Sequence, residues 1–304
     1  MQMEVGFFIN ARIRVTSNPN VIEVTFDKEE VGKNKAFLKT KVGEIVPSHW
    51  AHHSDFQSLL KDIKNSLTDC GLTKADIYME SSPEGVLKRL CKAPYLARIF
   101  DMPQPTWEGF PLREHALGVA HSLTTISKSQ GDKLKLLRLI ALIEDLGKPI
   151  AAHFAGDAKA GRKNQHSYNL SMVEAILSTL GFDHSEIIYA QTLVKMHLVP
   201  YYYVIGELDE NNVIEKLKES VDEQGNKVTI LEALEDLRCF WIADGSNYSA
   251  VACLMQGLPL KPSFCDQYVF VFSIIDSKWQ LQDIRPKASW QSKLDALVKK
   301  LGGE

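Results

Sequence analysis

The middle of the chain carries a set of acids and imidazoles in places where apolar residues are expected. His115 heads a helical stripe with Val119 and Ser122. Glu144 and Asp145 close the first part of LKLLRLIALIEDLGKP, residues 134–149, whose first ten residues are apolar except for Lys135 and Arg138. Such a helix is too apolar for a surface position and is expected to be buried. Glu144 follows Ile140 by four and Leu137 by seven, and Asp145 follows Ala141 by four, so both lean toward the core. His166 precedes Leu170, Val173, Leu177 and Leu180 at helical spacing, and His197 follows Ile187, Ala190 and Val194 on one stripe. Asp244 continues Ile230, Leu234, Leu237 and Trp241.

One such histidine or aspartate is ordinarily a core group with a hydrogen-bond partner. Two adjacent carboxylates at the end of a buried helix are costly unless cations or donors meet them. Several independent helices that each aim an acid or imidazole inward are explained together by one shared metal cluster. Imidazole with carboxylate and water suits zinc, iron or manganese, and a bridging carboxylate suits a pair of metals.

The ordered set His115, Asp145 within D-L-G-K-P, His166, His197 and Asp244 resembles the HD-domain metal-dependent phosphohydrolases. Their signature runs H…HD…D, extended to H…HD…H…H…D where two metals are held. The run 136–197 is most similar to the HD domains of bacterial tRNA nucleotidyltransferases, and with the FDMPQP stretch (100–105) and Asp244 the resemblance covers about half the chain. Glu144 stands where the family has histidine. A glutamate ligand shifts preference toward harder ions such as manganese or magnesium, and here it is either a replacement ligand or a non-ligand. The resemblance implies one or two divalent ions (Mn, Fe, Mg, Ni or Zn), with His115, Asp145 and Asp244 on one metal and Asp145 bridging to a second held by His166 and His197. It implies hydrolysis of a phosphodiester, cyclic phosphate or phosphomonoester of a nucleotide or RNA end, with Asp145 or another carboxylate taking the proton of a metal-activated water. A degenerate HD pocket that binds a nucleotide for regulation is the alternative.

Other residues could serve a phosphorylated substrate. Lys148 either faces the phosphate or compensates the carbonyl end of its helix. GDAKAGRKNQ, residues 156–165, reads as a loop that brings Lys159, Arg162 and Lys163 up to His166, either as an anion clamp or as a solvated basic loop. Tyr201, after His197 and Pro200, is placed to stack a base or simply to pack. P-loop, G-x-S-x-G and zinc-ribbon patterns are absent, which removes support for NTPase, serine-hydrolase and zinc-finger readings.

These residues need elements to hold them, and the pattern predicts an α+β molecule in three parts. Residues 1–90 read as a small β-rich α/β module, with strands at Phe7–Val15, Val21–Phe26 and Ala36–Val46, a helix at Asp55–Cys70 and a short strand near Ile77–Met79. Residues 91–257 read as an all-helical HD-type domain. Residues 258–304 read as a short β-hairpin (Tyr268–Ile275, Trp279–Ile284) and a helix (Ser289–Leu301), a tail placed to pack on the first module. The chain of 304 residues, net charge −3 and 24% charged residues is ordinary for a globular protein and gives no overall attraction to nucleic acid or anionic lipid. Five cysteines without a C-x-x-C pair read as reduced thiols of a cytoplasmic protein. No apolar run approaches a membrane span, so the expected partners are a phosphorylated small molecule, nucleotide or RNA end, and a second copy of the chain, with no membrane. The sequons at Asn169 and Asn247 are expected to be accidental.

Overall fold

A computed structural model describes residues 11–15, 21–26, 55–102, 112–155, 158–222, 228–246, 268–275 and 278–302. Helices dominate. In chain order the described elements are β1 (Ala11–Val15), β2 (Val21–Phe26), α1 (Phe56–Asp69), α2 (Lys74–Met79), α3 (Pro83–Leu90), α4 (Pro94–Phe100), α5 (Leu112–Ile126), α6 (Gly131–Ile143), α7 (Gly147–Ala155) and α8 (Ala158–Leu180). They continue with α9 (His184–Met196), α10 (Val199–Val204), α11 (Glu210–Asp222), α12 (Ile230–Ser246), β3 (Tyr268–Ile275), β4 (Lys278–Pro286) and α13 (Ala288–Gly302).

Local chemistry sets many of the helix starts. Asp55 accepts from the Ser58 N–H at 2.8 Å and begins α1. Thr73 with Asp76, and Asp183 with Glu186, form reciprocal capping boxes at the heads of α2 and α9. Pro83 and Pro94 occupy first-turn positions, where a missing N–H costs nothing. Gly71 and Gly181, at φ +60° and +83°, follow α1 and α8 in the left-handed region that a side chain disfavours.

The helices share one hydrophobic cluster. Leu59 and Ile63 of α1, Leu137 and Ile140 of α6, Ile176 of α8 and Leu237 of α12 are all fully buried in it, and Leu297 of α13 reaches it from the end of the chain. The predicted α+β class, with a β-rich module at residues 1–90, is therefore corrected. Residues 56–100 are four helices that pack into the common core, and the strand expected near Ile77–Met79 is the last turn of α2, begun by its capping box. Period-2 alternation over three residues cannot be told from one helical turn, and the cap decided it.

Strands are a minor component. β1, β2, β3 and β4 form an antiparallel sheet in that order, with Val24 opposite Phe270 and Val271 opposite Asp283. A register irregularity lies between Val271 and Phe272. The ends of the chain thus meet in one sheet, and α12 packs against β4. The strand expected at Ala36–Val46 and residues 7–10 of the first expected strand lie outside the described residues, as do residues 103–111 and Asn247.

Two further differences concern the site. Gly147 and Pro149, read as stop signals, open a new helix instead: α6 ends at Ile143, residues 144–146 form a turn, and α7 begins at Gly147. Proline three residues into a helix loses no hydrogen bond, so it starts a helix as readily as it ends one. The expected basic loop 156–165 is helical from Ala158 onward. Asn169 is 2% exposed on α8, so its sequon is closed to glycosylation in the folded chain.

Candidate metal centre

Three helical segments deliver three ligand atoms to one point. His115 lies in the first turn of α5, Asp145 in the turn between α6 and α7, and Asp244 near the end of α12. The Nε2 of His115 is 3.3 Å from Asp145 Oδ2 and 3.2 Å from Asp244 Oδ1. All three residues offer ligand atoms within 4.8 Å of one another, the only group of three or more His, Cys, Asp or Glu that does so among the described residues. The set is enclosed: His115 is 2% exposed and Asp145 8%.

These separations suit a small divalent ion. Ligand atoms at roughly 2.1 Å from a cation lie about 3.0 Å apart at a right angle and about 3.4 Å apart at the tetrahedral angle. One imidazole nitrogen and two carboxylate oxygens form a donor set for zinc, manganese or iron with positions left for water.

Lys148 completes the immediate charge pattern. It follows Asp145 by three residues, in the first turn of α7, and its ammonium is 2.6 Å from Asp145 Oδ2. At 7% exposure it is not a solvated surface lysine. Burial opposes the charge on Asp145, but Lys148 and then His115 outweigh it and hold the carboxyl below its ordinary range. Asp244 is likewise lowered, burial being overcome by His115 and Lys148. Burial works against protonated His115, and the hydrogen bonds to Asp145 and Asp244 more than reverse it, raising the ring well above its ordinary value.

Glu144 behaves differently from its neighbour. It is 5% exposed and its Oε1 is buried with no hydrogen-bond partner. Burial, then the charges of Asp145 and Asp244, raise its carboxyl well above the ordinary value. It lies in the field of the cluster without belonging to the three-ligand group.

His166 and His197 form a separate pair. Their rings stack at 5.9 Å between centroids and 29° between planes. The His197 Nδ1–H donates to Val194 O at 2.7 Å, which leaves Nε2 with its lone pair. His166 bonds the backbone of Lys195, and burial, then His197, lower its pKa. Among the described residues no group joins this pair to Asp145 within ligand distance. Tyr201 sits half-buried on α10 with its ring 5.4 Å from that of Tyr202. Arg162 and Lys163 lie on the first two turns of α8, and their side chains are outside the described part of the molecule.

One residue near the centre carried no earlier signal. Asn169 Oδ1 is buried without a hydrogen-bond partner, and a Cβ built on Gly147 would fall 2.5 Å from it and 2.4 Å from the Asn169 backbone nitrogen. Gly147 is thus the close contact through which α7 lies on α8, and it fixes the turn that aims Asp145 and Lys148. The spacing of Asn169 three residues after His166, on the same helix face, was the available clue.

The chain matches no family model, no curated protein and no solved structure.

Proposed function

We propose that the chain is a metal-dependent phosphohydrolase of the HD type, acting on a phosphodiester, cyclic phosphate or phosphomonoester of a nucleotide or RNA end. The convergence of His115, Asp145 and Asp244 from three helices on one enclosed point carries this reading. Purely structural packing gives no reason to bury two carboxylates and an imidazole together, because such groups cost several kcal/mol unless matched by opposite charge.

His115, Asp145 and Asp244 would hold the ion. When bound, a divalent cation lowers the pKa of water and neutralises charge developing on phosphate oxygens. The protein's own groups supply the rest. In the metal-free chain Asp244 and Asp145 hold the His115 ring through charge contacts at its Nε2. Lys148, anchored on Asp145, places a positive charge at the rim of the carboxylate pair where a phosphate oxygen is received. Burial of His115 and Asp145 limits bulk water and strengthens these interactions. Glu144, beside them in sequence, would be either a replacement ligand or a non-ligand.

A regulatory pocket that binds a nucleotide with little turnover is the second reading. The ion pair between Lys148 and Asp145 favours it, since the ammonium already compensates that carboxylate. Metal analysis of protein purified without chelator, with an Mn²⁺-supplemented assay on phosphomonoester and phosphodiester model substrates, decides between them. Metal bound by wild type and lost in Asp145→Ala, with turnover lost in parallel, supports the hydrolase. A chain without metal or turnover that still binds nucleotide supports the regulatory pocket and rejects the hydrolase.

A further inference from the structure

A second polar cavity lies at the far ends of the same helices. α5 runs from His115 to Ile126, α6 runs back from Lys133 toward Asp145, and α12 runs from Leu231 to Asp244, so all three span from this cavity to the metal centre. Asp236 on its wall precedes Asp244 by eight residues, roughly 12 Å along the α12 axis at about 1.5 Å per residue. The cavity measures about 520 Å³ and is closed on one side by α13, a size within the range of small-molecule sites.

Its acids are mostly spoken for by its own lining. Asp236, 4% exposed, accepts from the Tyr189 hydroxyl, from Lys133 Nζ at 3.0 Å and from Ser129 Oγ at 3.4 Å. Asp295 takes Arg238 Nη2 at 2.6 Å. What remains is an excess of donors. Lys128 and Lys299 line the cavity with no ion-pair partner among the described residues, against one remaining acid, Glu235. The Nε–H of Arg238 is buried with no acceptor. Arg238 also lines the cavity, with its Nη2 held by Asp295. Ile126, Leu231 and Val298 add an apolar wall.

We infer that this cavity is a binding site, separate from the metal centre, for a small organic oxyanion: a phosphate or carboxylate carried on a body with an apolar face. Lys128 and Lys299 supply the charge match from the rim, Arg238 adds its guanidinium charge from the wall, and the apolar wall receives the body. The inference stands independently of the hydrolase reading, since none of its residues belongs to the His115 cluster.

Calorimetric titration of the full chain in chelator tests it, with inorganic phosphate, AMP and citrate as probes. The expected result is saturable one-to-one binding of at least one probe, retained in Asp145→Asn. The double variant Lys128→Ser/Lys299→Ser, altered at exposed positions and checked for an unchanged melting temperature, weakens binding by roughly tenfold or more. Arg238→Gln weakens it further where that variant folds. AMP binding without citrate binding assigns a phosphate ligand, and the reverse assigns a carboxylate. No saturable binding at about 1 mM probe, binding indifferent to the lysine substitutions, or binding lost in Asp145→Asn would each overturn the assignment.

Discussion

At the residue scale, the charge pattern around His115 ties metal binding to protons. The metal-free ring is raised well above 6.5 by Asp145 and Asp244, while a metal ligand must be neutral. Metal affinity is therefore expected to rise with pH between about 6 and 8, with release of a proton from His115. Manganese titrations in two buffers of different ionisation enthalpy measure that release, and an affinity flat across this range would count against His115 as ligand. The sign for stability is opposite. The pairing of His115 stabilises the metal-free fold fully below the ring's unfolded value and is lost as pH rises through the raised folded value. The candidates His115, Asp145 and Asp244 were legible in the sequence because an acid or imidazole on an apolar stripe is an anomaly that packing does not explain. The ion pair of Lys148 was less legible, since a lysine three residues after an aspartate reads equally as a solvated helix end. The orphaned Oδ1 of Asn169 had no sequence signal beyond its spacing, because its environment is made by another helix.

At the scale of elements, the turn between α6 and α7 depends on a close backbone approach. A Cβ on Gly147 would lie 2.4 Å from Asn169 N and 2.6 Å from the Tyr168 carbonyl carbon, both backbone atoms that cannot swing away. Gly147→Ala is expected to destabilise the chain by about 1–3 kcal/mol, as overpacking does. Urea denaturation checks the loss, and metal affinity is expected to fall with it because the turn carries Asp145. A variant with wild-type stability would show that α7 and α8 can separate at no cost. The sequence announced this glycine as a stop signal, but α6 ends earlier, at Ile143, and Gly147 opens α7. What the local pattern did not contain was the partner helix, which makes the same glycine the contact point of the next element. The helical pattern of residues 112–246 was readable from period 3.6, whereas the short α2 was mistaken for a strand because six residues give too little periodicity to decide.

At the scale of the whole molecule, the candidate metal centre joins segments far apart in the chain. His115, Asp145 and Asp244 come from α5, the α6–α7 turn and α12, so an ion that binds them binds only the folded state. Manganese at a hundred times its dissociation constant is expected to add about 2.7 kcal/mol, a rise in Tm of roughly 4 °C for a chain of this size. Differential scanning calorimetry with and without Mn²⁺ measures it, and the shift should vanish in Asp145→Ala. A division into a β-rich front and a helical middle was the least legible part. Composition marks strands and helices locally, but only packing shows that α1 to α4 bury their apolar faces in the same core as α6 and α12.

The pairing of β2 with β3 also has a consequence for how the protein is made. β1 and β2 are synthesised long before β3, so the edge of β2 that β3 covers stays open until Tyr268–Ile275 is made. A two-stranded ribbon is marginally stable alone, and an open edge invites pairing with other chains. Helices α1 to α12 precede Tyr268 and can form from local contacts while the ribbon still waits, whereas α13 adds Leu297 to the core only afterwards. Closure of the sheet, a contact of long sequence separation, is expected to be a slow and aggregation-exposed step of folding.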